Sequence, residues 1–298
     1  MSDNRPTSRR RISPTGALAV AAALGAGLLV AAHFAQEQED SRQSAARQPT
    51  PQIAAPTPRP VSGTLPAVPA PTATATGAGG AAAGYATAPI SLRYTFDGGI
   101  GEPVADVQGR FPLRAFTQNG GELVLTPRDG GLSVRYPARC SLPEAECPRA
   151  ILEGSRVDAL NPGIRPLRYG ASVLMTRADL ADGANVLQKG YSVGGGSQFK
   201  LQVDREAGHP SCVIAGRNRI HRVEPKIDVA DGAWHELACA RTGPRLTMSI
   251  DGVEAGSVAV PPTLSIANAE PLRIGGKGAN ARNDQYAGQI DDVFLKIS

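Results

Sequence analysis

The chain has 298 residues, a net charge of +4 and only 4% aromatic residues. Seven arginines and four acidic residues precede residue 89, so the rest of the chain carries a net charge of only +1. This balance predicts that the protein does not bind nucleic acid, because phosphate binding needs a concentrated basic face.

The N-terminus is predicted to be an export signal. Residues 1–15 are polar and basic, and residues 16–35 form an uncharged apolar stretch that is long enough, as a helix, to span a bilayer of about 30 Å. Arginines before this stretch and acids after it place residues 1–15 in the cytoplasm and the C-terminal part outside the cell. We therefore predict a signal anchor in a single-pass protein of the cell membrane. The alternative is a cleaved signal peptide, with a small-residue site at Val30-Ala31-Ala32, and a secreted protein.

Residues 36–88 are predicted to be a disordered linker. This segment is rich in Pro, Ala, Thr and Gly and has few large apolar side chains. Burial of apolar surface therefore cannot offset the entropy cost of ordering it. We expect the linker to hold the following domain away from the membrane.

Residues 89–298 are predicted to form an all-β domain. Phe199, Leu201 and Val203 alternate with polar residues, as in a strand with one wet face. Asp251-Gly252 is typical of a hairpin turn. No window keeps a helical apolar period over three turns. The pattern predicts a two-sheet antiparallel jelly-roll sandwich, with about twelve strands in ISLRYTF, ELVLTP, LSVRYP, YGASVLMTRA, NVLQKG, QFKLQVD, SCVIAG, HELACAR, RLTMSIDG, GSVAVP, LRIGG and DDVFLKI.

The four cysteines are predicted to form two disulfides, Cys140–Cys147 and Cys212–Cys239. The first two bracket a short Pro-containing loop, and the other two each lie in a strand-like run. Export implies an oxidising compartment, which favours disulfides over the alternative of free thiols. The cysteine spacing does not match a zinc knuckle.

Several segments together resemble one family. In their order and spacing they are similar to laminin-G-like domains, which belong to the concanavalin A-like lectin/glucanase jelly rolls and are of the kind found in exported actinobacterial proteins. The resemblance runs from about residue 92 to the C-terminus and implies that Trp234 packs in the core. The segments are YTFDGG (Tyr94–Gly99), VADVQGR (Val104–Arg110), DGAWHELACAR (Asp231–Arg241), LTMSIDG (Leu246–Gly252), LRIGGK (Leu272–Lys277) and YAGQIDDVFL (Tyr286–Leu295).

The resemblance also implies a structural calcium ion. In related jelly rolls such an ion joins the first strand region to the last, and the matching positions here are Asp97, Asp106 and Asp292, with Asp291 as an alternate. Calcium takes six to eight oxygen ligands, often from aspartates and loop carbonyls. The alternative is that these acids are solvated turn residues, because the segment at Asp106 lacks the other polar ligands of the family motif.

The sequence predicts that the protein is not an enzyme. Glucanases of this fold carry paired carboxylates on one strand, and no such run occurs in the sequence. Glu146 and Glu153 are too far apart to share one site. His235 has no evident nucleophile with which to form a triad.

A ligand site is predicted on polar loops of the sandwich, residues 194–197 and 278–285, because such loops commonly carry binding sites. The predicted ligand-binding residues are Tyr191, Asn280, Asn283, Asp284 and Tyr286. We predict an extracellular binding module for carbohydrate or a cell-surface polymer. The alternatives are a protein–protein adhesion or scaffolding module and, less favoured, a degenerate glycoside hydrolase.

Overall fold

A computed structural model describes residues 88–298, with the exception of 102, 182, 194, 195, 205, 206, 217, 218, 279 and 281. The predicted signal anchor and nearly all of the predicted linker lie outside these residues. Within the described part of the chain, no helix is long and apolar enough to cross a membrane.

Eight strands form the first antiparallel sheet. Its order is β13-β12-β11-β6-β15-β4-β3, and β1 pairs with the second half of β15. A bulge between Asp291 and Phe294 lets β15 pair with β4 before it and with β1 after it. The strands are β1 (Ile90–Tyr94), β3 (Val124–Arg128), β4 (Gly131–Tyr136), β6 (Leu167–Thr176), β11 (Asp231–Thr242), β12 (Arg245–Ile250), β13 (Val253–Ala259) and β15 (Gly288–Ile297).

Seven strands form the second antiparallel sheet, in the order β10-β9-β8-β7-β14-β5-β2. Three short 3-10 turns, at Glu144–Glu146, Asp158–Leu160 and Arg177–Asp179, complete the described secondary structure. The predicted all-β, two-sheet sandwich is therefore confirmed. The strands are β2 (Leu113–Gln118), β5 (Arg149–Gly154), β7 (Ala184–Gly190), β8 (Gln198–Val203), β9 (Pro210–Gly216), β10 (Arg219–Val223) and β14 (Leu272–Ile274).

The inward side chains of both sheets form one hydrophobic core. Phe199, Leu201 and Val203 of β8 all point inward and are 0% exposed, as their alternation predicts. The prediction of a wet opposite face is wrong, because every residue of β8 is buried. The predicted hairpin turn joins β12 to β13. Asp251 and Gly252 there have φ values of 52° and 79°, which a primed turn requires at both central residues.

Both predicted disulfides are formed, Cys140–Cys147 and Cys212–Cys239. Cys212 lies on β9 of the second sheet and Cys239 on β11 of the first, so this bond joins the two sheets through the core. The Cys140–Cys147 bond closes the loop between β4 and β5.

Candidate functional site

Two of the predicted calcium ligands, Asp97 and Asp106, stabilise turns near the first strand. Asp106 is 2% exposed, and its carboxylate accepts three backbone N–H groups from the residues that follow it. Asp97 accepts the backbone N–H of Leu132 at 2.8 Å. This bond, with a second from the side chain of Thr95, lowers the pKa of Asp97. Hydrogen-bond donors of the protein itself therefore already bind both carboxylates.

Asp291 and Asp292 lie in the bulge of β15 and are paired with arginines. Arg93 Nη2 is 2.6 Å from Asp292 Oδ1, and Arg128 Nη1 is 2.8 Å from Asp291 Oδ2. Burial raises the pKa of Asp291, and the charge of Arg128 opposes that rise. The two guanidinium groups therefore balance the negative charge of the two adjacent carboxylates.

The predicted calcium ligands do not converge in this structure. Among the residues it describes, only one group of three ligating side chains has its ligand atoms within 4.8 Å of one another, and that group is Asp204, His209 and Glu224. The arrangement of Asp97, Asp106 and Asp292 therefore does not fit a calcium ion, because their carboxylate oxygens are not brought together as a group.

Two of the predicted ligand-binding residues, Asn283 and Tyr286, are 0% exposed. The phenol of Tyr286 donates to backbone carbonyls of β6 and β15, and its ring packs edge-on against Tyr136. The side-chain amide of Asn283 donates to the carbonyl of Gly278 and to Gln285 Oε1. These two residues fix the loop before β15 in this structure, and a ligand at them stays a prediction.

The other three predicted ligand-binding residues lie nearer the surface. The hydroxyl of Tyr191 donates to the carbonyl of Lys277 at 2.7 Å and accepts from Arg273 Nη1 at 2.9 Å. Burial raises the pKa of Tyr191. Lys277 Nζ pairs with Asp284 Oδ1 at 3.1 Å, and Asn280 is exposed. The structure thus connects Tyr191 and Asp284 through Lys277, and a ligand at these residues stays a prediction.

Trp234 does not pack in the core, and the expectation taken from the resemblance is wrong at this residue. A bulge between Asp231 and Trp234 precedes it on β11, and its side chain is only half-buried. The guanidinium of Arg128 lies 3.9 Å from the centroid of its ring, as in a cation–π contact.

The neighbouring His235 bonds to Asp231 and Asp251, which gives it a structural role.

A row of polar side chains crosses the outer face of the second sheet, and sequence analysis did not single it out. Asn185 on β7, Gln202 on β8 and Ser211 on β9 are paired in register across the three strands. They are 0%, 6% and 0% exposed, yet Asn185 Oδ1, Gln202 Oε1 and Ser211 Oγ have no hydrogen-bond partner. The alternation in QFKLQVD indicates a polar face on β8, but the neighbours across the sheet follow from register.

The first residue of this polar row is held in place by its neighbours. Asn185 Nδ2 donates to Gln188 Oε1 at 2.7 Å, and Gln188 Nε2 donates to the carbonyl of Gly190, so the oxygen of Asn185 is the atom left as an acceptor. Adjacent strands are about 4.8 Å apart, so the three oxygens form a line about 10 Å long. A buried polar atom without a partner costs about 1–3 kcal/mol. The row therefore suits a ligand with closely spaced hydrogen-bond donors.

The two antiparallel sheets form a jelly-roll-like sandwich. Residues 173–295 match the family model described as Concanavalin A-like lectin/glucanases superfamily, of the laminin G type. The predicted resemblance to laminin-G-like domains is therefore confirmed over this part of the chain. No curated protein sequence matches the chain significantly.

Solved structures share the fold at low sequence identity. Domain 4 of AbnA, a GH43 extracellular arabinanase from Geobacillus stearothermophilus in complex with arabinotriose, is 14% identical, with a TM-score of 0.50 over 70% of this chain and 91% of that chain. The binding domain of Paraclostridial Mosquitocidal Protein 1 is 14% identical, with a TM-score of 0.48 over 69% of this chain. The present chain covers only 47% of that structure, about half its length. At 14% identity the likeness to the arabinanase domain shows the fold alone.

Proposed function

We propose that the domain is a non-catalytic module that binds a neutral oligosaccharide on the outer face of the second sheet. The observation that carries this proposal is the polar row of Asn185, Gln202 and Ser211, whose buried oxygens lack donors. Sugar hydroxyls are small, closely spaced donors and can satisfy such a line of acceptors. The row contains amides and a hydroxyl but no carboxylate, so it supplies no acid–base pair for glycoside hydrolysis.

The surroundings of the polar row also support a carbohydrate ligand. Lys200 and Asp204, two residues before and two residues after Gln202, carry opposite charges, so a highly charged ligand is not favoured. The arabinanase domain that shares the fold was solved with arabinotriose, which supports the proposal only at the level of the fold. Because the row is screened from solvent, a ligand must first gain access to it, and the apparent affinity includes that cost.

We expect single substitutions in the polar row to weaken oligosaccharide binding. The test is calorimetric titration of the full chain with neutral oligosaccharides, including arabinotriose. Gln202→Ala and Ser211→Ala should each weaken binding by about 5- to 10-fold, the loss of one hydrogen bond of about 1 kcal/mol. The matched control is Ser172→Ala, which removes a buried serine from the outer face of the first sheet and should bind as the wild type does. Equal affinities in all four proteins would exclude the row as the site.

Binding of a protein partner is a second candidate function, and a separate groove favours it. This groove of about 480 Å³ lies between β4 and the Cys140–Cys147 loop. Val124 and Leu142, which line it, are 48% and 55% exposed. Val124 belongs to β3, which ends the first sheet and can accept an extended segment along its free edge. Protein binding replaces oligosaccharide binding as the proposed function if no oligosaccharide binds and if Leu142→Asp abolishes the binding of a protein partner.

We also propose that the module acts outside the cell, tethered by residues 16–35. The apolar stretch and its flanking charges support an anchor. The two disulfides support an oxidising compartment. Membrane fractionation tests the tether, because a retained anchor resists extraction at high pH whereas a secreted protein appears in the medium.

A further inference from the structure

Three side chains with metal-binding groups meet at one end of the second sheet. Asp204 directly follows β8, His209 directly precedes β9 and Glu224 directly follows β10. Because these neighbouring strands are antiparallel, the ends that carry the three residues lie together. One ligand atom from each lies within 4.8 Å of the other two.

The carboxylate of Asp204 is oriented with one oxygen toward the imidazole. Asp204 Oδ1 accepts the backbone N–H groups of Ala207 and His209, at 3.1 and 3.3 Å. Its other oxygen, Oδ2, is 3.6 Å from His209 Nδ1. That separation is too long for a hydrogen bond. It is close to the distance of about 3.3 Å between two ligands of a tetrahedral ion with bonds of about 2.0–2.1 Å.

Glu224 is the third side chain of the cluster and is bound to two cations of the protein. Arg222 pairs with its Oε2, and Lys226 Nζ lies 2.8 Å from its Oε1. The side chain of Lys226 is 73% exposed, so its ammonium can move from Oε1 into water when a metal ion binds. A metal ion at Oε1 would take the place of this ammonium, and Arg222 would remain to orient the carboxylate.

We propose that Asp204, His209 and Glu224 form a binding site for a zinc-class divalent ion. An imidazole with two carboxylates suits zinc, which is bound by nitrogen and oxygen in tetrahedral geometry, whereas calcium is bound by oxygen alone. Three protein ligands leave the fourth position to water. The site shares no residue with Asp97, Asp106 and Asp292 and does not depend on the proposed oligosaccharide function.

The test is titration of the full chain, without a polyhistidine tag, with zinc chloride and separately with cobalt chloride. We expect the wild type to take up one tightly bound zinc ion, to unfold at a higher temperature when zinc is present, and to give the visible absorption of tetrahedral cobalt. His209→Ala should weaken zinc binding by at least about 10-fold and abolish the cobalt spectrum. His221→Ala, a substitution of the nearby histidine on β10, is the matched control and should behave as the wild type does.

A second variant keeps the test independent of the folding of His209→Ala. Lys226→Met removes the competing ammonium from Glu224 and should bind zinc more tightly than the wild type, a change that a purely structural cluster would not produce. The proposal is overturned if the wild type and His209→Ala bind zinc equally, or if Lys226→Met leaves the zinc affinity unchanged or lower.

Discussion

His235 links the turn between β12 and β13 to the start of β11. Its Nδ1 is 2.7 Å from Asp251 Oδ2 in the turn, and its Nε2 is 3.2 Å from Asp231 Oδ1 at the first residue of β11. Burial lowers the pKa of His235, but the hydrogen bonds and charges of the two aspartates outweigh burial and the net shift is upward. The protonated imidazole is therefore the form that the fold stabilises.

The free energy of unfolding should depend on pH through His235. Because its pKa is higher in the folded protein, the stabilisation is fully present below the unfolded value of about 6.5 and is lost as pH rises through the folded value. Urea unfolding of the wild type from about pH 5 to pH 9 measures this loss. His235→Gln should be less stable than the wild type mainly at low pH. A slope of equal size in His235→Gln would assign the titration to another group.

The acidic residues show which part of the site the sequence can predict. The resemblance predicted a calcium ion at carboxylates near the first and last strands. It could not show that Arg93 pairs with Asp292, 199 residues away in the sequence. Nor could it show that Arg128 pairs with Asp291, 163 residues away. The prediction that Trp234 packs in the core was wrong for a related reason. The bulge that precedes Trp234 depends on pairing with β6 and has no signature in the local sequence.

The strands were predicted correctly where polar and apolar residues alternate and where turn residues mark the ends of the strand in the sequence. All twelve predicted segments overlap strands of the structure, but β2, β5 and β10 were missed. The first four residues of β5 are all buried, so they lack the alternation that identifies a strand. The strands β2 and β10 are short edge strands with several exposed polar residues, which weakens the apolar signal. The polar row was missed for the same kind of reason, because it exists only once β7, β8 and β9 are aligned.

The two disulfides should differ in their contributions to stability. Closing a loop removes entropy from the unfolded chain, and the effect grows with loop length. The Cys212–Cys239 bond spans 27 residues and should contribute about 3.5 kcal/mol, whereas the Cys140–Cys147 bond spans 7 and should contribute about 2.4 kcal/mol. Urea unfolding of the two double alanine variants measures both values, and each variant is the control for the other.

Cavity formation adds to the cost at the longer disulfide. Cys212 and Cys239 are 0% exposed and belong to the core, whereas Cys140 is not buried. The observed difference should therefore exceed the entropy difference alone. If removal of Cys140–Cys147 proved the more destabilising, the loop between β4 and β5 would be more important for the fold than its exposure indicates.

At the scale of the whole molecule, the connection between β13 and β14 is one of four that carry the chain from the first sheet to the second. Lys189, on β7, is 1% exposed, and its ammonium donates to two oxygens of Asn268 and to the carbonyl of Glu270 in this connection. Asn268 also bonds to Asn161 and to Ser197. A single buried lysine thus holds the crossover against the second sheet.

The same lysine should make the protein more stable as pH rises above about 8. Burial lowers the pKa of Lys189 to about 8, and the nearby acids Asp158 and Glu270 offset only part of that shift. Between that value and the unfolded value of about 10.4, the unfolded chain binds more protons than the folded protein, so the free energy of unfolding increases with pH. Urea unfolding at about pH 7.5, 8.5 and 9.5 should show this increase in the wild type and no such increase in Lys189→Met.

Buried tyrosines set the upper end of the pH range over which Lys189 can be tested. Burial raises the pKa of Tyr94, Tyr136 and Tyr169 above the usual value of about 10, so the unfolded chain loses these protons first and stability falls above that pH. The contribution of Lys189 is therefore isolated from that of the tyrosines only between about pH 8 and pH 10. If Lys189→Met reproduced the increase of the wild type in this range, the crossover would be held by hydrogen bonds that do not depend on the charge of the lysine. Asn268, which bonds to Asn161 and Ser197, would then be the residue that holds this connection in place.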